Sequence, residues 1–88
     1  MKIVVNKCYG GFSLSQEAYR ELGLKWDGYG YYDCSRSDEN LVRVVEKLGD
    51  KANGSYAKLR IVEIPDDVNW EIDDYDGIET VREKHRSW

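Results

Sequence analysis

Eighty-eight residues with a formal charge of −4 and 41% apolar side chains make one small domain, 1–88, with room for one layer of helices on one small sheet and no deep pocket within a single copy. No run approaches the ~20 apolar residues of a membrane span, and the N-terminus lacks the apolar stretch of a signal peptide, so the expected location is the cytoplasm. The acid excess argues against direct nucleic-acid binding, which needs surplus Lys and Arg.

The chain opens with an apolar run, Ile3 to Val5, inside a predicted strand from Lys2 to Lys7. Apolar residues on both of its faces point to an interior position. The strand empties into Cys8-Tyr9 and the pair Gly10-Gly11, where the backbone is free to take positive φ or to admit a close neighbour. Ser15 is the expected cap of a helix reaching Leu22, with Leu14 and Tyr19 as a hydrophobic staple and Ser13 with Gln16 as a competing capping box. Gly23 supplies the stop. Leu24 to Ser37 is irregular and rich in rings: Trp26, Tyr29, Tyr31 and Tyr32 lie among turn residues. They read either as a cap over the core or as a platform for a planar ligand.

Asp38, or alternatively Ser37, caps the clearest helix. Leu41, Val44, Val45 and Leu48 recur at i, i+3, i+4 and i+7, and Gly49 ends it or starts a ragged last turn. Ala57 to Ile64 predicts a central strand. Pro65-Asp66-Asp67 turns the chain into an alternating strand, Val68 to Asp73, antiparallel to its predecessor. Asp76-Gly77 then starts a short helix to about Arg86, with Ile78, Val81 and His85 or Trp88 inward. The expected fold is α+β: a small three-stranded mixed sheet with about three helices. So small a sheet, covered on one face, has reason to form a homo-oligomer.

Several groups carry candidate chemistry. Lys7, Tyr9 and the amides of Gly10 and Gly11 sit at one turn beside Phe12. Arg82 and Arg86 are one helical turn apart on the predicted last helix, fit for bidentate phosphate binding, with His85 a further donor. Their plainer reading is complementation of the helix dipole by acids at its start and bases at its end. The acidic stretch from Glu63 to Asp76 reads as a solvated face or as a surface for a basic partner. Asp74, Asp76, Gly77 and Glu83 match part of a calcium loop, but its first ligand would be Ile72, so no calcium site is expected. Cys8 and Cys34 read as free thiols. They give with His85 no metal-ligand spacing, and no Walker motif is present. No metal, cofactor or catalytic residue is therefore expected, although a small enzyme with His85 as acid or base is a third possibility.

Asn6-Lys7-Cys8-Tyr9-Gly10-Gly11-Phe12, followed by Leu14-Ser15, resembles the opening of a widespread family of small phage-encoded proteins. So do Leu48 to Gly54, Ile61 to Val68, Tyr75 to Ile78 and Lys84 to Trp88. The segment Trp26 to Asp33 is shorter here than in similar proteins. The resemblance implies a host-directed, non-catalytic role in the host cytoplasm, and one such class sequesters nucleotide immune signals. On that reading the partner is a small phosphate-bearing nucleotide. Phe12, Trp26, Tyr31 and Tyr32 stack the base, and Arg82, Arg86 and Lys7 hold phosphate with the Gly10 and Gly11 amides. Tyr9 and His85 complete the site. The alternative is an acidic protein that inhibits a host enzyme or DNA-binding protein.

Overall fold

The computed structural model describes residues 1–28, 30 and 35–83. Their elements run β1 (Lys2–Asn6), α1 (Gln16–Glu21), α2 (Glu39–Leu48), a 3-10 turn (Gly49–Ala52), β2 (Leu59–Glu63), β3 (Trp70–Tyr75) and β4 (Ile78–Glu83). The class is α+β. The expected three-stranded sheet with three helices is replaced by two two-stranded sheets and two α-helices. β1 pairs antiparallel with β2, Lys2 opposite Glu63 and Asn6 opposite Leu59. β3 pairs with β4, Trp70 opposite Glu83 and Tyr75 opposite Ile78.

The largest departure is at the C-terminal end. The segment expected to be helical from Asp76 onward is the return strand of a hairpin, through Glu83. Asp76 and Gly77 have φ of 52° and 91°. Positive φ at both central residues is what a two-residue type I′ turn requires, and this turn matches the twist of antiparallel strands. Ile78 and Val81 fit a helical stripe by spacing, but the turn fixes the geometry first. β3 therefore pairs forward with β4, not back onto β2, and β2 is not the centre of a three-stranded sheet.

Helix capping follows the sequence closely. Ser15 Oγ accepts from the Ala18 amide at 3.1 Å and donates to the Lys51 carbonyl at 2.5 Å, which ties α1 to the 3-10 turn. Asp38 Oδ1 accepts from the Asn40 and Leu41 amides at 2.9 and 3.1 Å. Leu41, Val44 and Val45 are buried as their spacing demands, and Val42 is buried beside them. With Val4, Leu14, Ala18, Tyr19, Ala52 and Leu59 they form the core between the helices and the first sheet. No helix among the described residues is long and apolar enough to cross a membrane.

β1 is buried along Ile3 to Asn6 although, among the described residues, only β2 pairs with it. Strand geometry turns the Val4 and Asn6 amides away from β2. Side chains and one loop carbonyl close that outer edge. The Val4 amide donates to the Arg36 carbonyl at 2.8 Å. The Asn6 amide donates to Glu79 Oε1 at 2.8 Å. Arg36 grips the same carboxylate through both nitrogens, Nη1 to Oε1 at 2.5 Å and Nη2 to Oε2 at 2.9 Å. An Arg–Glu fork thus stands where a third strand would lie and fastens β4 to β1.

Candidate functional site

The residues after β1 form the floor of one end of the molecule. Asn6 is fully buried and every polar atom of its side chain is engaged. Its Nδ2 donates to the carbonyls of Cys8 and Gly77, both at 2.6 Å. Its Oδ1 accepts the Lys58 amide at 2.8 Å. Three segments meet there: the Cys8–Gly11 turn, the chain leading into β2, and the hairpin tip.

Glycines allow the close approach. A Cβ on Gly10 would overlap Tyr56. A Cβ on Gly77 would fall 2.6 Å from the Gly11 nitrogen and closer still to the Tyr9 carbonyl oxygen. These contacts bring Tyr56 against the turn that carries Tyr9, while the strand register sets Tyr75 on the face of the hairpin that carries Glu71, Asp73 and Arg82. Tyr9, Tyr56 and Tyr75 are 71%, 76% and 76% exposed. Most of a tyrosine's apolar area is normally worth covering, and exposed tyrosines at one place are the usual anchor chemistry of recognition surfaces. Among the described residues the only other large apolar side chain counted as exposed is Leu24, at 38%.

The expected phosphate-binding groups are placed differently. Lys7 Nζ donates to the Glu79 carbonyl at 2.7 Å. Arg82, on the solvent side of the hairpin, lies against Glu71 (2.6 Å) and Asp73 (3.2 Å), and these acids raise its pKa further, chiefly through the Glu71 hydrogen bond. Phe12 is half-buried under Arg36, whose guanidinium carbon sits 3.6 Å from the ring centroid. Trp26 is half-buried, edge-on to Tyr19 with centroids 5.1 Å apart. Tyr56 packs against Gly10 and Gly77 against the Gly11 amide, while Gly10 stays exposed. Lys7, Gly10, Gly11 and Tyr9 therefore stay together, and Phe12 joins them through Arg36 and Glu79. Trp26 packs on α1, and Arg82 stands three residues beyond Glu79 on the opposite face of β4. Tyr31, Tyr32, His85 and Arg86 lie outside the described residues, as do Cys34 and Trp88.

Tyr56 and Tyr75 were not singled out by sequence. Their signal is an exposed ring flanking a turn, Ser55-Tyr56 and Tyr75-Asp76-Gly77, and it is visible only once Asp-Gly is read as a hairpin tip. Arg36, Glu79 and the central role of Asn6 have no local signature.

A surface groove of about 800 Å³ runs between the start of β1 and α2, lined by Met1, Lys2, Ser37, Glu39, Val42, Arg43, Glu46, Lys47 and Asp66. Small-molecule pockets are mostly apolar with a few placed polar groups. Most residues lining this groove are charged, and Lys2–Glu46 at 3.1 Å already pairs across it. Among the described residues no group of His, Cys, Asp or Glu is arranged to hold a metal ion. Comparison of the chain with family models, with curated proteins and with solved structures gave no match.

Proposed function

We propose that this chain is a binding protein, of the host-directed kind to which small phage proteins belong, and that it engages another protein through its tyrosine-bearing end. The observation that carries this reading is the exposure of Tyr9 and Tyr56, each more than 70% open to solvent, on two segments that touch at Gly10. Tyrosine supplies large contact area at low entropic cost, and such rings dominate recognition surfaces.

Sequestration of a phosphate-bearing nucleotide draws less support, because Lys7 and Arg82 are already partnered. Inhibition through acidic charge alone also draws less. Glu71 and Asp73 carry Arg82, Asp66 carries the Met1 amine at 2.5 Å, and Asp74 accepts the Gly77 amide at 2.8 Å.

The test compares the wild-type chain with a Tyr9→Ser, Tyr56→Ser, Tyr75→Ser triple variant. Both are immobilised and exposed to bacterial extract, and both are melted against cyclic and linear nucleotides. The expected result is one protein retained in stoichiometric amount by the wild type and lost from the variant, whose melting temperature is unchanged. A melting shift of several degrees with one nucleotide, together with equal capture by both chains, would sink the proposal in favour of a nucleotide sponge.

A further inference from the structure

We infer that the end bearing Tyr9 and Tyr56 takes an acidic segment of its protein partner, two neighbouring carboxylates of which seat on Lys7 and Lys58. The inference rests on the reading of that end as the binding site, and adds the chemistry of the occupant. The pairing of Asn6 with Leu59 continues one step further, where the Lys7 amide donates to the Lys58 carbonyl at 2.8 Å. The two lysines therefore stand opposite each other, and both are exposed. Tyr9 follows Lys7 by two residues, Tyr56 precedes Lys58 by two, and the segments that carry them touch at Gly10. Two ammonium groups and two open rings thus share one end of the ladder.

Like charges directly opposite on an antiparallel pair repel, so the fold gains nothing from this one. Among the described residues neither ammonium meets a carboxylate. Lys7 Nζ donates to the Glu79 carbonyl, a neutral group that places the ammonium but leaves its charge uncompensated and donors to spare. The Glu79 carboxylate is itself gripped by Arg36 and the Asn6 amide, and Arg60, two residues from Lys58, is held by Asp50 at 3.2 Å. A repulsive pair beside open rings sets local structure against stability, which is the behaviour expected of a ligand site. The occupant is then anionic. The chain's charge of −4 repels an extended polyanion. A short acidic stretch needs only this pair, and the tyrosines beside it are anchors suited to a protein surface. Carboxylate on lysine is a charge-assisted hydrogen bond, and complementary charge of this kind sets the partner's register.

Titration of the isotope-labelled full chain, followed by amide NMR, tests this with three probes: the capped peptide Gly-Asp-Phe-Asp-Glu-Gly, its neutral counterpart Gly-Asn-Phe-Asn-Gln-Gly, and inorganic phosphate. The acidic peptide should shift the Lys7, Tyr9, Tyr56 and Lys58 amides saturably, and added salt should weaken it. Lys58→Glu should lower its affinity about tenfold or more, and Lys25→Glu, the same charge change after α1, should not. Lys58→Glu should also melt about 1–5 °C higher, because an opposed pair of like charge becomes one of unlike charge. Lys58→Gln, which removes the repulsion without adding an acid, should lose affinity with a melting temperature no lower than wild type. Absence of a saturable shift would overturn the inference. So would equal shifts with the neutral peptide, equal loss in Lys25→Glu, or phosphate acting at lower concentration than the peptide, which would mark a site for a free anion. The two readings fail separately. If the acidic peptide does not bind but the triple tyrosine variant still loses its captured protein, the tyrosine site stands and its acidic occupant does not. If the peptide binds the triple variant as tightly as the wild type, the lysine pair stands and the tyrosines do not.

Discussion

At Glu79 a carboxylate is 4% exposed and meets three donors: the Asn6 amide and two nitrogens of Arg36. Burial of such a pair is costly, and its net worth against an apolar pair is small, but removing one partner leaves the other charge stranded. Glu79→Ala should therefore lower unfolding free energy by about 3–5 kcal/mol, measured by urea denaturation. Replacing Arg36 and Glu79 together by Met and Leu should cost much less than the single change. Gly77 is the second sensitive position. Its φ of 91° and its contact with the Tyr9 carbonyl exclude any side chain. Gly77→Ala should cost about 1–3 kcal/mol from backbone strain before the clash is counted, and should release the hairpin tip without disturbing α2. The Arg36–Glu79 pair is not visible in sequence. Glu79 and Arg36 are two charges among thirty Asp, Glu, Lys and Arg residues, separated by forty-three positions, and nothing local sets them apart from their solvated neighbours.

At the scale of elements, what the sequence reveals depends on whether the deciding contacts are local. α1 and α2 are legible because a cap and an apolar stripe lie within a few residues of each other. Ser15 and Asp38 sit where the spacing places them, and Leu41 and Val44 are fully buried. Leu41→Ala should cost about 2–5 kcal/mol and Asp38→Ala about 1 kcal/mol, both read from thermal or chemical melts. The hairpin reads as a helix by spacing, and its own signal is of a different kind. Trp70, Glu71, Ile72, Asp73 alternate up to an Asp-Gly pair, and that pair outweighs the helix-like spacing of Ile78 and Val81. Strand order is not legible at all. Nothing within β1, β2 or β3 says that the third lane of the first sheet is filled by side chains. The meeting of Tyr9 with Tyr56 shares this limit, since it rests on the long-range approach of Gly10 to Tyr56.

For the whole molecule, the short chain leaves little stability in reserve, so surface pairs count at the margin. Lys47 hydrogen-bonds Glu21 at 2.8 Å, and that bond, with the lysine's charge, holds the carboxyl below the usual glutamate range. A carboxylate whose pKa is lower folded than unfolded adds stability above its ordinary value and loses it as pH falls through the folded value. The melting temperature should accordingly drop between about pH 5 and 3, and Lys47→Ala should flatten part of that slope. The closing of β1 has a larger consequence. Among the described residues, the outward-facing amides of Val4 and Asn6 are met by a loop carbonyl and by a fork of two side chains. With Arg36 and Glu79 both truncated, the Arg36 carbonyl still covers Val4 and only the Asn6 amide loses its acceptor. The outer edge of β1 is in this sense guarded twice, once by backbone that substitution cannot remove and once by side chains that two substitutions take away.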